Sequence, residues 1–190
     1  MKSALWAAAR ASTMPQFQKA MENLKTLNEQ AWTDMNELPA KKWARAAFDT
    51  YTKCDLQVNN MCEAFNMAIL EYRDKPIITL IEGLKSYLTS RIVKQRELMK
   101  RYNGDICPMI QLKIEEHKKQ AANWAPAWSG DSNAALFEVS NGDYKYSVDL
   151  VATTCSCRRW DLTGIPCCHS IACMWFNNQQ PEPYVSSFYR

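Results

Sequence analysis

Glycine is scarce in this chain, at five of 190 residues, and histidine is scarcer, at two. No internal repeat and no low-complexity tract is present. With so little glycine and long apolar periodicities, the composition argues against disorder. No apolar run approaches the roughly 18 residues that cross a bilayer, so no membrane partner is expected. A lysine-rich nuclear import tract is missing too. Charge of one sign is also lacking: 23% of residues are charged, yet the net charge is only +3. Such a balance permits a nucleic-acid partner without demanding one. At 47% hydrophobic, 190 residues suffice for one or two domains with a real core.

The N-terminal "MKSALWAAARAS" has the outline of a secretory leader: a lysine, an apolar stretch, then small residues. Arg10 cuts the apolar run short of the ~7–15 residues of a leader core, and the segment reads as a helix. On that reading the chain is intracellular and its thiols are reduced. Eight cysteines then point to metal or packing rather than to disulfides.

The first two-thirds reads as helix. In "STMPQFQKAMENLKTLNEQAW", Phe17, Met21, Leu24, Leu27 and Ala31 recur at three- and four-residue steps behind a Ser/Thr start and Pro15. "LPAKKWARAAF" repeats the pattern, with Pro39 opening it. "NNMCEAFNMAILEY" predicts a helix from Asn59 or Asn60 with Met61, Phe65, Ala68, Ile69 and Tyr72 as its stripe. The longest helix carries Ile77, Leu80, Ile81, Leu84, Leu88 and Ile92. It turns basic from Arg91 to Arg101, which reads as an exposed helix face. A further helix runs from Pro108 to about Trp124. The expected fold class is therefore α+β. Residues 1–125 form a helical region, 126–135 a Pro/Gly/Ser-rich linker, 136–178 a hairpin-plus-helix metal module, and 179–190 an extended tail. The hairpin is signalled by two alternating runs around Asn141-Gly142.

The metal module carries the chemistry. Cys155 and Cys157 lie two apart on an expected strand or strand end, where alternation puts both on one face. Cys167 and His169 form a second such pair, and Gly164-Ile165-Pro166 before them can turn the chain back. Three thiolates and an imidazole make a closed tetrahedral set for one structural Zn2+. Cys168, between two ligands, should point away. Cys173, one helical turn after His169, lines the site or packs. Cys54, Cys62 and Cys107 read as buried small hydrophobes. The module is too small to fold unaided, so its folding is expected to depend on the ion.

Cys155-x-Cys157, nine residues, then Cys167-x-His169 resembles the SWIM-type zinc finger. "CSCRRWDLTGIPCCHSIACM" is similar to the version in plant Mutator-like transposases. "LWAAARASTMPQFQKAMENLKTLNEQAW" and "KCDLQVNNMCEAFNMAILEYRDKPIITLIEGLKSYLTSRI" resemble the C-terminal part of the same proteins. Far-red-impaired-response-like regulators share that architecture. The resemblance implies a ribonuclease-H-like core whose Asp/Asp/Glu triad holds two divalent metals. Glu63 corresponds to the glutamate, although three or four residues after an Asn it also fits a capping carboxylate. Nothing upstream reads as the strand-rich core, and Asp34, Asp49 and Asp55 lie in or beside helical segments. The expectation is a transposase relic with no catalytic residues of its own and no small-molecule substrate.

The resemblance also implies DNA or protein as partner, and the nucleus as location. Arg158 and Arg159, in the loop between the ligand pairs, offer guanidinium groups to phosphate, or are solvated charges. Trp160 stacks on a base or packs over the zinc. Lys145, Tyr146 and the basic run 91–101 would extend a positive face. Three readings follow: a DNA-associated zinc module, a protein adaptor working through Trp175 and Phe176, or one subunit of an active recombinase whose partner supplies the aspartates.

Overall fold

The computed structural model describes residues 1–57 and 60–190, which fall into two compact units, 1–57 with 106–190 and 58–105. Helix and antiparallel sheet combine as the α+β class requires. Among the described residues no helix is long and apolar enough to cross a membrane.

The first unit opens with α1 (Lys2–Arg10), α2 (Met14–Leu27) and α3 (Glu29–Glu37). Ala4 and Ala8 let α1 approach Met21 and Leu24 of α2 closely, and Phe17 meets Trp43 edge to face at 5.5 Å. The apolar repeat predicts one helix through Ala31, but the chain breaks at Asn28. Its side chain accepts a hydrogen bond from the Ala31 amide at 2.8 Å and starts α3 afresh. Leu27, placed in the stripe, is exposed. "LPAKKWARAAF" is not a helix either. It makes two 3-10 turns, Ala40–Lys42 and Arg45–Ala47, joined by extended Ala44. Their amides bond within the segment, while the carbonyls of Ala46 and Phe48 accept from the Arg158 guanidinium.

After α6 (Pro108–Ala121) come β1 (Ala125–Trp128), β2 (Leu136–Asn141), β3 (Tyr144–Asp149) and β4 (Thr154–Cys155), paired antiparallel in the order β1-β2-β3-β4. The expected linker is thus partly strand. Pro126 disguises it, yet proline is tolerated on an edge strand, and β1 is one. The β1–β2 connection is built around Asp131. Its carboxylate accepts from the amides of Asn133, Ala135 and Leu136 and from Trp128 Nε1 at 2.8–3.1 Å. Period-two burial puts Phe137, Val139 and Val148 inward. At the hairpin turn Gly142 takes φ +57°, and a Cβ there would touch nothing within 4 Å, so backbone conformation alone asks for glycine.

Two more helices, α7 (Arg159–Thr163) and α8 (Cys168–Phe176), complete the unit. α8 packs on α6 and across β1 to β3, and is buried from Cys168 to Met174. The tail is not extended. It folds into 3-10 turns at Glu182–Tyr184 and Ser187–Tyr189, buries Val185, and lays Tyr184 against Trp160. Lys118 pairs with Glu182 at 2.7 Å, joining α6 to this tail. The boundary expected at 125 is therefore absent: the N-terminal helices, the sheet and the tail belong to one unit.

The second unit holds α4 (Asn60–Ala68), a 3-10 turn at Leu70–Tyr72, and α5 (Ile77–Lys100). Asn59, one expected start of α4, lies outside the described residues, as do the side chains of Asn60 and Met61. Gly83 of α5 sits against the Tyr72 ring, 2.4 Å from where a Cβ would stand. Leu80 and Leu84 are half-buried, while Ile77, Ile81, Leu88 and Ile92 of the expected stripe are exposed. The face from Arg91 to Arg101 is exposed throughout. Glu63 stands exposed in the first turn of α4.

Candidate metal centre

Each expected ligand is positioned by a different local device. Cys155 ends β4, where it pairs with Val148. Cys157 is not on a strand, contrary to the alternation argument. It lies in a tight turn closed by the Arg158 amide donating to the Cys155 carbonyl at 2.7 Å. Arg158 takes φ +62°, a left-handed conformation uncommon for a residue with a Cβ. Two residues of extended chain would set the Cα atoms roughly 6.6 Å apart, whereas this turn draws the sulfurs together. Cys167 precedes α8 as its N-cap, and His169 follows in the first turn of that helix. Gly164 ends α7 with φ +69°, and a Cβ there would stand 2.7 Å from that of Ser186. The turn between the ligand pairs thus needs glycine for backbone and for space.

The four donor atoms converge. Cys155 Sγ, Cys157 Sγ, Cys167 Sγ and a ring nitrogen of His169 all lie within 4.8 Å of one another, and all four residues are buried. His169 Nδ1 is 3.6 Å from Cys155 Sγ and 3.7 Å from Cys167 Sγ. A tetrahedral zinc with Zn–S near 2.3 Å and Zn–N near 2.0 Å has donor–donor edges of roughly 3.5–3.8 Å. Residues 137–175 match the SWIM zinc finger. No curated protein and no solved structure matches the chain. The finger's donor set fits one structural zinc ion.

Around the SWIM finger's donors stands a layer that spacing did not reveal. The His169 ring is stacked on Tyr146, 4.2 Å between centroids, and meets the edge of Trp124 at 4.2 Å and 85°. These two rings, from β3 and from just before β1, hold the imidazole plane. Tyr146 therefore serves the histidine rather than the positive face expected of the hairpin. Asp161 accepts the Cys155 amide at 3.0 Å, and Ser170 Oγ donates to the Cys167 carbonyl at 2.9 Å. Trp160 is buried in the core. Cys173 turns its Sγ to the His169 carbonyl at 3.3 Å, and neither it nor Cys168 joins the converging set. Of the remaining cysteines, Cys107 packs partly on the core, but Cys54 and Cys62 are exposed, not buried.

Hydrogen bonds with Cys157 and Cys167, added to burial, push the Cys155 thiol up. Burial opposes charge on His169, but the Cys157 and Cys167 sulfurs beside it outweigh that and raise it to about 12. Burial likewise opposes the Cys167 thiolate, yet its bonds to Cys155, Cys157 and His169 hold its pKa well down. Zinc binds thiolate and neutral imidazole, so its binding at this set releases protons.

The two arginines of the finger separate. The Arg158 guanidinium is spent inside the molecule. Nη1 donates to the carbonyl of Ala46, and Nη2 to that of Phe48 at 2.8 Å. These are carbonyls of the segment that failed to become helix, and their capture by the finger explains its shape. Lys53 Nζ reaches the Asp161 carbonyl at 3.0 Å from the same side. Arg159 is exposed and makes none of these bonds. On the hairpin, Lys145 pairs with Glu138 at 2.9 Å.

Proposed function

We propose that this chain is a zinc-stabilised, DNA-associated module of Mutator-like transposase descent, working in the nucleus and not itself a catalyst. The observation that carries the reading is the closed, buried Cys155/Cys157/Cys167/His169 set, which leaves no donor position for a reacting water and so gives zinc a structural task. What the ion then supports is a surface. Arg159 stands exposed beside the first ligand pair, and the upstream blocks that resemble the transposases agree with a DNA partner. The third reading, a recombinase subunit, would rest on Glu63, an exposed single carboxylate.

The test is fluorescence anisotropy of zinc-loaded protein with a labelled DNA duplex across a salt series. The expected result is affinity that falls steeply with salt and disappears when zinc is chelated. Absence of duplex binding at low salt would sink the reading. A second reading, a protein adaptor, is favoured by exposed Trp175 and Phe176 on α8. It predicts partner binding with a shallow salt dependence that is lost in Trp175→Ala.

A further inference from the structure

Where the N-terminal helices meet the finger, the first unit holds a cleft of about 260 Å³. Arg10 from the end of α1, Arg45, Lys113 and His117 from α6, and Arg159 all line it. Two carboxylates, Asp55 and Glu116, line it too. Asp55 is already paired with Arg45 at 3.3 Å. That leaves Arg10, Lys113 and Arg159 with the carboxylate of Glu116, and the Arg10 guanidinium also lies over the Trp6 ring, 4.9 Å from its centroid. Among the described residues none of those three cations makes an ion pair. His117 has Nδ1 committed to the Pro166 carbonyl at 2.8 Å, which fixes its ring at the wall. Arg10, Lys113 and Arg159 come from separate elements and meet one carboxylate, Glu116, outside the Arg45–Asp55 pair, so the cleft keeps net positive charge and favours a negative ligand.

A second cleft of about 300 Å³ lies at the metal set itself, lined by Cys157 and His169 with Trp124 and Tyr146; it shares Ser12 and Arg159 with the first and adds the side-chain amides of Gln16, Gln120 and Asn123. Amides of this kind donate to sugar and phosphate oxygens as well as to base edges. A solitary anion would need one cleft. A polymer with regularly placed phosphates would use both, with Arg159 at the join.

We propose that these adjoining clefts bind the sugar–phosphate backbone of DNA, with Arg10, Lys113 and Arg159 as the phosphate contacts. The inference rests on the DNA-associated reading and deepens it. The contact face is composite, made by α1, α6 and α7 with Asn141 and Tyr146 of the hairpin, and does not use the basic face of α5.

The experiment uses the full zinc-loaded chain, a short fluorescein-labelled duplex, and inorganic phosphate as a separate probe followed by thermal shift. The double variant Lys113→Ala/Arg159→Ala is expected to bind duplex roughly tenfold more weakly or worse, with its salt slope reduced by about two. Lys94→Ala and Lys145→Ala are expected to change little. Zinc content of one per chain in every variant, and retained binding by Lys113→Arg/Arg159→Lys, separate lost contacts from lost fold. Unchanged duplex affinity in the double variant would overturn the cleft assignment and leave the DNA reading standing. Phosphate protection that depends on Lys113 and Arg159 but comes without duplex binding would overturn both the polymer ligand and the DNA reading. Binding of neither probe would overturn the anion site as well.

Discussion

The imidazole of His169 lies nearly flat on the ring of Tyr146, with centroids 4.2 Å apart and planes 24° from parallel. Trp124 meets the imidazole at 4.2 Å in a T-shaped contact and is itself 5.5 Å from Tyr146, so the three rings form one cluster. These contacts favour the ring orientation in which Nδ1 lies 3.6 Å from Cys155 Sγ and 3.7 Å from Cys167 Sγ. Tyr146→Ala is expected to lower zinc affinity about tenfold, as loss of a ligand-orienting neighbour does. Tyr146→Phe keeps the stacking face and should bind like the parent. Competition against a chromophoric chelator measures both, and equal affinities for the alanine and phenylalanine variants would refute the orienting role.

Zinc should be a condition of the finger's fold. Binding to a structural site of this kind is worth about 10–16 kcal/mol, more than a four-stranded sheet and two short helices can forgo. Chelation is expected to abolish the near-ultraviolet dichroism of buried Trp160, and re-addition of zinc to restore it. Cys157→Ser and His169→Ala should each reduce zinc from one per chain to none. A signal indifferent to the chelator would show that packing alone sustains the module.

Arg158 holds the segment around Ala46 to the finger through two carbonyls at once. A planar guanidinium spans both with a rigid fork, which the compact ammonium of lysine does not reproduce. Arg158→Lys and Arg158→Ala are therefore expected to speed amide exchange between residues 40 and 57 and to cost about 1–3 kcal/mol through the unsatisfied carbonyls. DNA affinity and its salt slope should stay as in the parent, because this guanidinium does not face solvent as Arg159 does. A slope that falls by about one in Arg158→Lys would return the residue to the phosphate contacts.

Asp131 gives the pH dependence. Slight burial would raise its carboxyl, but the Ala135 and Leu136 amides, with Trp128 and Asn133, outweigh this and lower it to about 2. A folded-state value below the unfolded one, near 3.9, contributes stability above that unfolded value. The contribution is lost as pH falls through the folded one. The β1–β2 connection should hold down to about pH 4 and loosen between there and about pH 2. The Ala135 and Leu136 amide resonances are expected to titrate with a midpoint near the lower figure, and Asp131→Asn should abolish the transition.

Much of the site was legible in the chain, and much of its setting was not. Cys155, Cys157, Cys167 and His169 stood out because two close pairs around a turn signal are a local pattern. The strand alternation invoked for the first pair was the wrong device, since β4 stops at Cys155 and a left-handed Arg158 makes the turn. Tyr146 and Trp124 lie 23 and 45 residues before His169, and no spacing rule links aromatics at such separations to a ligand. Pro126 hid β1, because proline argues against a strand until one knows that the strand is an edge. The helical periodicity of "LPAKKWARAAF" was overridden by Arg158, more than a hundred residues away.

The sequence by itself determined the donor chemistry, the hairpin and most helices, because metal-ligand spacing, turn residues and apolar period act over a few neighbouring positions. Tertiary structure alone decided which arginine is spent and which stays exposed, what clamps the histidine, and that the N-terminal helices, sheet and tail form one unit. Those outcomes depend on which distant backbone groups and rings compete for the same side chain, and that competition exists only once the chain has folded.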